Sequence, residues 1–217
     1  MRSVSPCVAH RKRIGGRAVA VANPGLNSLT IEMPVTAYIG LGSNLDEPEK
    51  QVQQACRALA ELSQCRLLHC SSLYRSKPLL VDATNTAAMT VDQPDYINAV
   101  VALETRLLPL ALLDALQAIE LAQGRDRDGP RWGARSLDLD ILLYGQCILD
   151  KPRLTVPHSG LAEREFVLYP LYQIAPQLVL PDGQQLKDWV DSCPLRELEC
   201  LQGVGLEAFS TCSGIRV

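Results

Sequence analysis

Two carboxylates stand one residue apart in Leu137-Asp138-Leu139-Asp140-Ile141. In an extended strand, residues i and i+2 project to the same side. Asp138 and Asp140 would therefore share a face, with Cα atoms about 7 Å apart. Leu137, Leu139 and Ile141 would turn the other way, into a core. Paired hard oxygen ligands on a strand suit Mg2+, which keeps most of its waters and takes further ligands from phosphates. Two such ions could share the pair. On the pair alone, a solvated strand face is the simpler account. The preceding segment changes that balance, because Arg125, Arg127, Arg131 and Arg135 flank Gly129, Pro130 and Gly133. Guanidinium forks match phosphate oxygens, and a glycine-bearing loop can swing in after substrate enters. Metal-binding acids preceded by an arginine loop point to phosphoryl transfer.

Other residues suggest a second ligand. Tyr96 and Asn98 are i and i+2, so a ring and an amide would stand side by side, able to stack on a flat heterocycle and read its edge. On these residues alone a half-buried tyrosine with an ordinary polar neighbour is the simpler account, and Phe166, one of only two phenylalanines, has the same ambiguity. His158 follows Pro157, and a lone histidine after a turn is more often structural than catalytic. Gly40-Leu41-Gly42-Ser43-Asn44-Leu45 sits between an expected strand and helix. It lacks the third glycine of a dinucleotide fingerprint, and no G-x-x-x-x-G-K-[ST] phosphate loop occurs anywhere.

These residues need elements to hold them. Val35–Leu41 reads as a strand. A helix follows, with Asp46 as its cap and Pro48 in its first turn; Val52, Ala55, Cys56, Leu59 and Leu62 form its inward face. Arg66–Tyr74 reads as a second strand and Tyr96–Thr105 as a third. The long stretch between them, Lys77–Pro94, is a candidate functional loop. Pro109 opens a second helix with Leu110, Leu113, Leu116 and Ile119 on one stripe, and Gly124 stops it. Leu137–Tyr144 is a fourth strand, and Gly145-Gln146 turns into a short partner at Cys147–Leu149. Leu161–Gln173 is helical but interrupted by Pro170, and a short helix follows the turn at Pro181-Asp182-Gly183. The fold class is α+β: a ferredoxin-like βαββαβ core with an antiparallel sheet and both helices on one face, plus an extra hairpin and C-terminal helices.

The chain has 217 residues, 47% hydrophobic and 21% charged, with a net charge of −3. Length suggests one domain with appendages, and the charge gives no electrostatic reason to bind nucleic acid or a membrane surface. No window reaches the roughly 20 apolar residues of a membrane span. Residues 1–34 are basic and without apolar period, and read as a disordered extension; Met33 is a second candidate start. Residues 35–191 form the expected catalytic domain and 192–217 a tail. The eight cysteines are scattered, with no C-x-x-C pair, and read as reduced residues of a cytoplasmic protein.

The chain resembles the 6-hydroxymethyl-7,8-dihydropterin pyrophosphokinases of folate biosynthesis. The likeness is carried by Ala37–Leu45 (AYIGLGSNL), Gln93–Asn98 (QPDYIN), Gln123–Arg125 (QGR), Arg131–Ile141 (RWGARSLDLDI), Leu154–His158 (LTVPH) and Pro181–Gly183 (PDG). It implies that the diphosphate of ATP passes whole to the pterin hydroxymethyl oxygen, with release of AMP. By the same likeness, Asp138 and Asp140 take the places of the acids that hold two Mg2+ ions. Arg125 and Arg135 match loop arginines on the phosphates, and Trp132 a loop residue that seals the site. Gly42, Ser76, Leu79, Tyr96, Asn98 and Phe166 match the pterin pocket. Gln117, Glu120, Ile141, Thr155 and His158 match the nucleotide side, where Arg127, Arg131, Arg153 and Arg164 are also expected. The likeness departs after Ser76: Lys77 replaces a proline, and an insertion lies near Val81–Asp92. A monomer with ATP and the pterin as its partners is the expected state. Two other readings fit the same residues: a metal-dependent phosphohydrolase, and a non-catalytic ferredoxin-like binding module.

Overall fold

The computed structural model describes residues 30–78, 93–124 and 136–201. The elements run β1 (Thr30–Ser43), α1 (Pro48–Glu61), β2 (Cys65–Cys70), β3 (Leu73–Ser76), β4 (Tyr96–Leu107), α2 (Pro109–Ala122), β5 (Asp138–Tyr144), β6 (Leu149–Lys151), β7 (Leu154–Val156), α3 (Glu165–Ile174), α4 (Leu186–Ser192) and β8 (Glu199–Leu201). The main sheet has the order β5-β1-β4-β3-β8, with β2 also paired to β4. Every pairing in it is antiparallel. β1 and β4 lie at its centre, where apolar side chains are buried on both faces. With β2 and β3 taken as one interrupted strand, this is the ferredoxin-like βαββαβ core.

Two apolar clusters hold the layers together. Ala37, Ile39 and Leu41 of β1 join Ala99, Val101 and Leu103 of β4 under Val52, Cys56 and Leu59 of α1. The opposite face, with Val100, Leu142 and Leu143, is covered by Leu168 and Leu171 of α3 and by Leu186 and Val190 of α4. The C-terminal helices thus form a third layer. A bulge in β5 feeds it. Tyr38 pairs with Leu143 but Ile39 with Ile141, so Leu142 is the extra residue, and Leu142 and Leu143 both pack toward α3.

Several local expectations are corrected. Asp46 does not cap α1: Asp46 and Glu47 are left-handed, at φ 54° and 63°. The Glu47 carbonyl instead accepts from the amides of Lys50 and Gln51. The second strand breaks at Ser71-Ser72, where the Val100 amide donates to Ser71 Oγ (3.0 Å) and the Ser72 amide to Gln173 Oε1 (2.8 Å). The buried stripe of α2 is Leu112, Leu116 and Ile119, while Leu110 is 40% exposed. That helix is apolar nearly all round, so its pattern does not select a face. The partner strand after Gly145 starts at Leu149, pairing with Val156 in a separate two-stranded sheet. Pro170 lies inside α3 without ending it. β8, in the stretch expected to be a tail, adds to the sheet edge against β3.

α3 is fixed to the break between β2 and β3 by one side chain. Gln173 Oε1 accepts from the Tyr74 hydroxyl (3.2 Å) as well as from Ser72, and Gln173 Nε2 donates to Ser72 Oγ (2.9 Å). Burial pushes the Tyr74 hydroxyl far above the ordinary tyrosine value, with Cys200 adding to the effect. Tyr74 therefore stays a neutral donor. Among the described residues no disulfide joins the cysteines, and Cys56, Cys70 and Cys193 are buried as expected. No described helix is long and apolar enough to cross a membrane.

β1 begins at Thr30, five residues before the expected Val35. Thr30 pairs with Leu107, and the Arg106 guanidinium donates to the Glu32 carbonyl. A chain starting at Met33 loses these edge contacts but none of the buried β1 residues. It should fold with a melting temperature lowered by at most about 4 °C, equivalent to roughly 1 kcal/mol, and keep full activity. Thermal melting and turnover of the truncated chain check this.

Candidate functional site

The site is a row across the sheet. Gly42 pairs with Asn98 of β4 on one side and with Asp138 of β5 on the other, and Gly40 pairs with Asp140. The alternation expected of 137–141 is present: Leu139 and Ile141 are buried, while Asp138 and Asp140 are only half-buried. The two aspartates thus stand on the sheet face bearing Gly40, Gly42 and Asn98. The glycines leave open space between acid and amide. A Cβ on Gly42 would come within 3.6 Å of Asn98 Oδ1, and one on Gly40 within 3.3 Å of Leu142.

Over this row lies a cavity of about 470 Å³. Asp138, Asp140 and Gly42 are at its floor, with Asn98, Tyr96 and Ser76 to one side. α2 contributes Gln117 and Glu120; His158, Arg153, Arg164 and Phe166 complete the wall. Gly40, Lys77, Gln93 and Ser159 also line it; Lys77 and Gln93 belong to the loop expected to be functional, whereas Gly40 and Ser159 are not among the expected site residues. Their places depend on strand register and on where the loop ends return, neither of which residue type reveals. Ile141 lies in the core and Thr155 is exposed on β7, its Oγ1 3.5 Å from Asp150. Neither side chain lines the cavity. Leu79, Arg125, Arg127, Arg131, Trp132 and Arg135 lie outside the described residues.

Hydrogen bonds orient the principal groups. Asn98 Nδ2 donates to Ser76 Oγ (3.0 Å) and to the Tyr74 carbonyl (3.4 Å). Its Oδ1 is therefore the atom turned toward Gly42, an acceptor fixed in place. Glu120, only 2% exposed, accepts from the Leu139 amide at 2.7 Å, between the two aspartates. His158 Nδ1 accepts from the Gly160 amide at 3.1 Å, so a neutral ring carries its proton on Nε2. Nε2 faces Asp140 Oδ2 at 3.8 Å. Arg153, in the turn between β6 and β7, pairs with Asp114 of α2.

Among the described residues no three His, Cys, Asp or Glu side chains gather as a metal cage. The donor set is two carboxylates on one strand face, open to a cavity large enough for a polyanion. That fits Mg2+, which binds through one or two carboxylates and keeps water or phosphate in its other positions.

The family model described as 7,8-dihydro-6-hydroxymethylpterin-pyrophosphokinase (HPPK) matches residues 38–176. The chain belongs to this family. It is 52% identical over 166 residues to the 2-amino-4-hydroxy-6-hydroxymethyldihydropteridine pyrophosphokinase of Pseudomonas aeruginosa, covering 76% of this chain and 96% of that protein. The Haemophilus influenzae protein of the same name is 51% identical over 156 residues, 72% of this chain and 91% of that one. Folic acid synthesis protein fol1 of Schizosaccharomyces pombe is 40% identical over 159 residues, which cover 73% of this chain but only 20% of that protein. The crystal structure of Plasmodium falciparum HPPK-DHPS with pteroate shares the fold, with a TM-score of 0.55 at 12% identity; the match covers 73% of this chain and 42% of that one.

The HPPK match takes in the whole glycine row, the acids of β5 and all of α3. α4 and β8 lie beyond it. Within this HPPK domain, Glu120 is the buried group whose loss can be read by stability. Glu120→Ala leaves the Leu139 amide without that acceptor and should cost roughly 1–3 kcal/mol. Glu120→Gln keeps an acceptor oxygen and should recover most of it. Denaturant unfolding of both variants checks this; equal losses would show that the bond to Leu139 is not what matters.

Proposed function

We propose that this cavity binds ATP beside 6-hydroxymethyl-7,8-dihydropterin and moves the diphosphate between them. The observation that carries the proposal is the row Asp138–Gly42–Asn98, which sets an acidic pair and a fixed amide on either side of an open floor. The chain is an ATP-dependent pyrophosphokinase of folate biosynthesis, in keeping with relatives that it covers almost end to end. The hydroxymethyl oxygen attacks the β-phosphorus, the bond from that phosphorus to the α,β-bridging oxygen breaks, AMP leaves, and the hydroxyl proton is released.

Each residue has a part in this reading. Tyr96 and Phe166 hold the pterin ring, and Asn98 Oδ1 accepts from an N–H on its edge. Ser76 fixes that amide. Gln117, Glu120, Arg153, His158 and Arg164 form the nucleotide side. Asp138 and Asp140 would hold Mg2+, two ions in this reading, which when bound neutralises phosphate charge. Arg125 and Arg135 act on the phosphates, with Arg127 and Arg131 nearby in sequence. His158 is not a free base, because Nδ1 is occupied by the Gly160 amide. A strong base is not required if the transition state is loose; positioning and charge neutralisation then supply most of the rate. Residues 35–191 act as one cytoplasmic, monomeric catalytic unit with no nucleic-acid or membrane partner.

The deciding assay combines ATP, the dihydropterin and Mg2+ and measures AMP against a control without pterin. AMP formed equally without pterin would replace this reading with a phosphohydrolase. Asp138→Ala and Asp140→Ala should each abolish transfer while leaving pterin binding nearly unchanged; near-normal turnover in both would remove the metal assignment. Arg125→Ala and Arg135→Ala should slow the chemical step by about 100- to 1,000-fold, as for donors that act chiefly in the transition state. Lysine at either position should restore only part, since it keeps the charge but loses the fork. Single-turnover kinetics separate this from a loss confined to ATP affinity.

A further inference from the structure

The β3–β4 ladder ends at the pair Ser76↔Tyr96. The next residue on each strand is charged, and the two charges meet: Lys77 Nζ lies 3.0 Å from Asp95 Oδ1 and 3.2 Å from Oδ2. The ammonium therefore bridges both carboxylate oxygens. It closes the base of the excursion between 78 and 93, one step beyond the last backbone pair. Lys77 also lines the cavity, whereas Asp95 is the less exposed partner, at 31% against 62%.

Both neighbours of this pair belong to the pterin side. Ser76 is buried and holds the Asn98 amide, and Tyr96 is the residue after Asp95. The returning leg of the loop is tied from its other flank as well, since Asn44 Nδ2 donates to the Pro94 carbonyl at 3.2 Å. Two tethers thus grip residues 94 and 95 immediately before the ring of Tyr96 enters the cavity. Among the described residues, no ion pair or hydrogen bond links the pair to α2 or to the β6–β7 hairpin, which form the proposed nucleotide side.

We infer that Lys77 and Asp95 are positioning residues for the pterin pocket, acting through Tyr96 and Ser76 and without effect on the nucleotide side. The inference rests on the proposed placement of the pterin at Tyr96, Asn98 and Phe166. The pair is largely exposed, so its effect is modest: about three- to five-fold in pterin affinity, the upper range for a surface ion pair. Salt adds a second signature. The dihydropterin carries no net charge near neutral pH, so its own binding has little reason to depend on ionic strength. A pocket held by an exposed ion pair does, because the screening length falls to about 3 Å at 1 M salt.

The test uses the full chain, saturated with Mg2+ and a non-transferable ATP analogue, and measures dihydropterin affinity by fluorescence titration. Lys77→Met keeps the apolar stem and removes the charge; Asp95→Asn keeps the shape. Each should weaken pterin binding about three- to five-fold and leave the KM for ATP unchanged. The exchange Lys77→Asp with Asp95→Lys should restore affinity to within about two-fold of the parent. High salt should weaken pterin binding to the parent chain but not to Lys77→Met. Unchanged pterin affinity in the single variants overturns the inference. So does an equal rise in the KM for ATP, which would indicate general loosening, or a charge exchange that fails to restore affinity. If the parent chain itself does not bind the dihydropterin, the proposed function fails first and the inference with it.

Discussion

Everything at this site depends on the register of β1 against its two neighbours. Gly40 and Gly42 face the cavity because Leu41 faces the core, and the same alternation on β5 sends Asp138 and Asp140 to the cavity and Leu139 and Ile141 inward. A slip of β5 by one residue would bury two carboxylates and turn Leu139 and Ile141 out of the core. Burying unpaired charge costs far more than the pairing of one strand returns. The register that places the acids is therefore the one that lets the sheet have a core at all.

The bulge at Leu142 lets one strand serve two demands. Before it, β5 alternates and presents the acids. At it, consecutive leucines turn to the same face and become the seat for α3 and α4. α3 in turn brings Arg164 and Phe166 to the cavity wall at its start, while Gln173 near its end is bound to Ser72 and Tyr74. The wall opposite the acids is thus anchored to the strand break between β2 and β3. That explains why the break exists: Ser71 and Ser72 spend their hydrogen-bonding groups on β4 and on Gln173 rather than on a continuous ladder.

The arrangement separates two kinds of recognition. On the proposed pterin side, Asn98 is fixed by neighbours in the same sheet, so it presents only its Oδ1. On the other, longer polar side chains from α2, the β6–β7 turn and the α3 entrance converge from three directions, which suits a large and highly charged ligand. In the proposed reading the aspartates lie at the boundary, where an attacking oxygen from one side and a phosphate from the other would meet.

Sequence periodicity alone identified the core helices and the principal sheet strands, the same-side placement of Asp138 with Asp140 and of Tyr96 with Asn98, and the inward face of α1. Each follows from a two-residue or 3.6-residue period that holds whatever the partner. The family likeness placed Gln117, Glu120, Arg153 and Arg164 near the same ligand, and the structure brings all four to one cavity. What pattern could not supply were facts settled between elements. α2 is apolar almost all round, so only packing chose Leu112 over Leu110. The cap of α1 was decided by left-handed backbone at Asp46 and Glu47, and the end of α3 by tertiary contacts that carried the helix through Pro170. Gly40, Lys77 and Gln93 reached the cavity only through register and loop return. β8 pairs with β3 although nothing in its three residues marks a strand, because an unpaired sheet edge offers its backbone groups to whatever segment passes close enough. Periodicity fixes which way a side chain points from its own element; only the packed chain decides what it meets there.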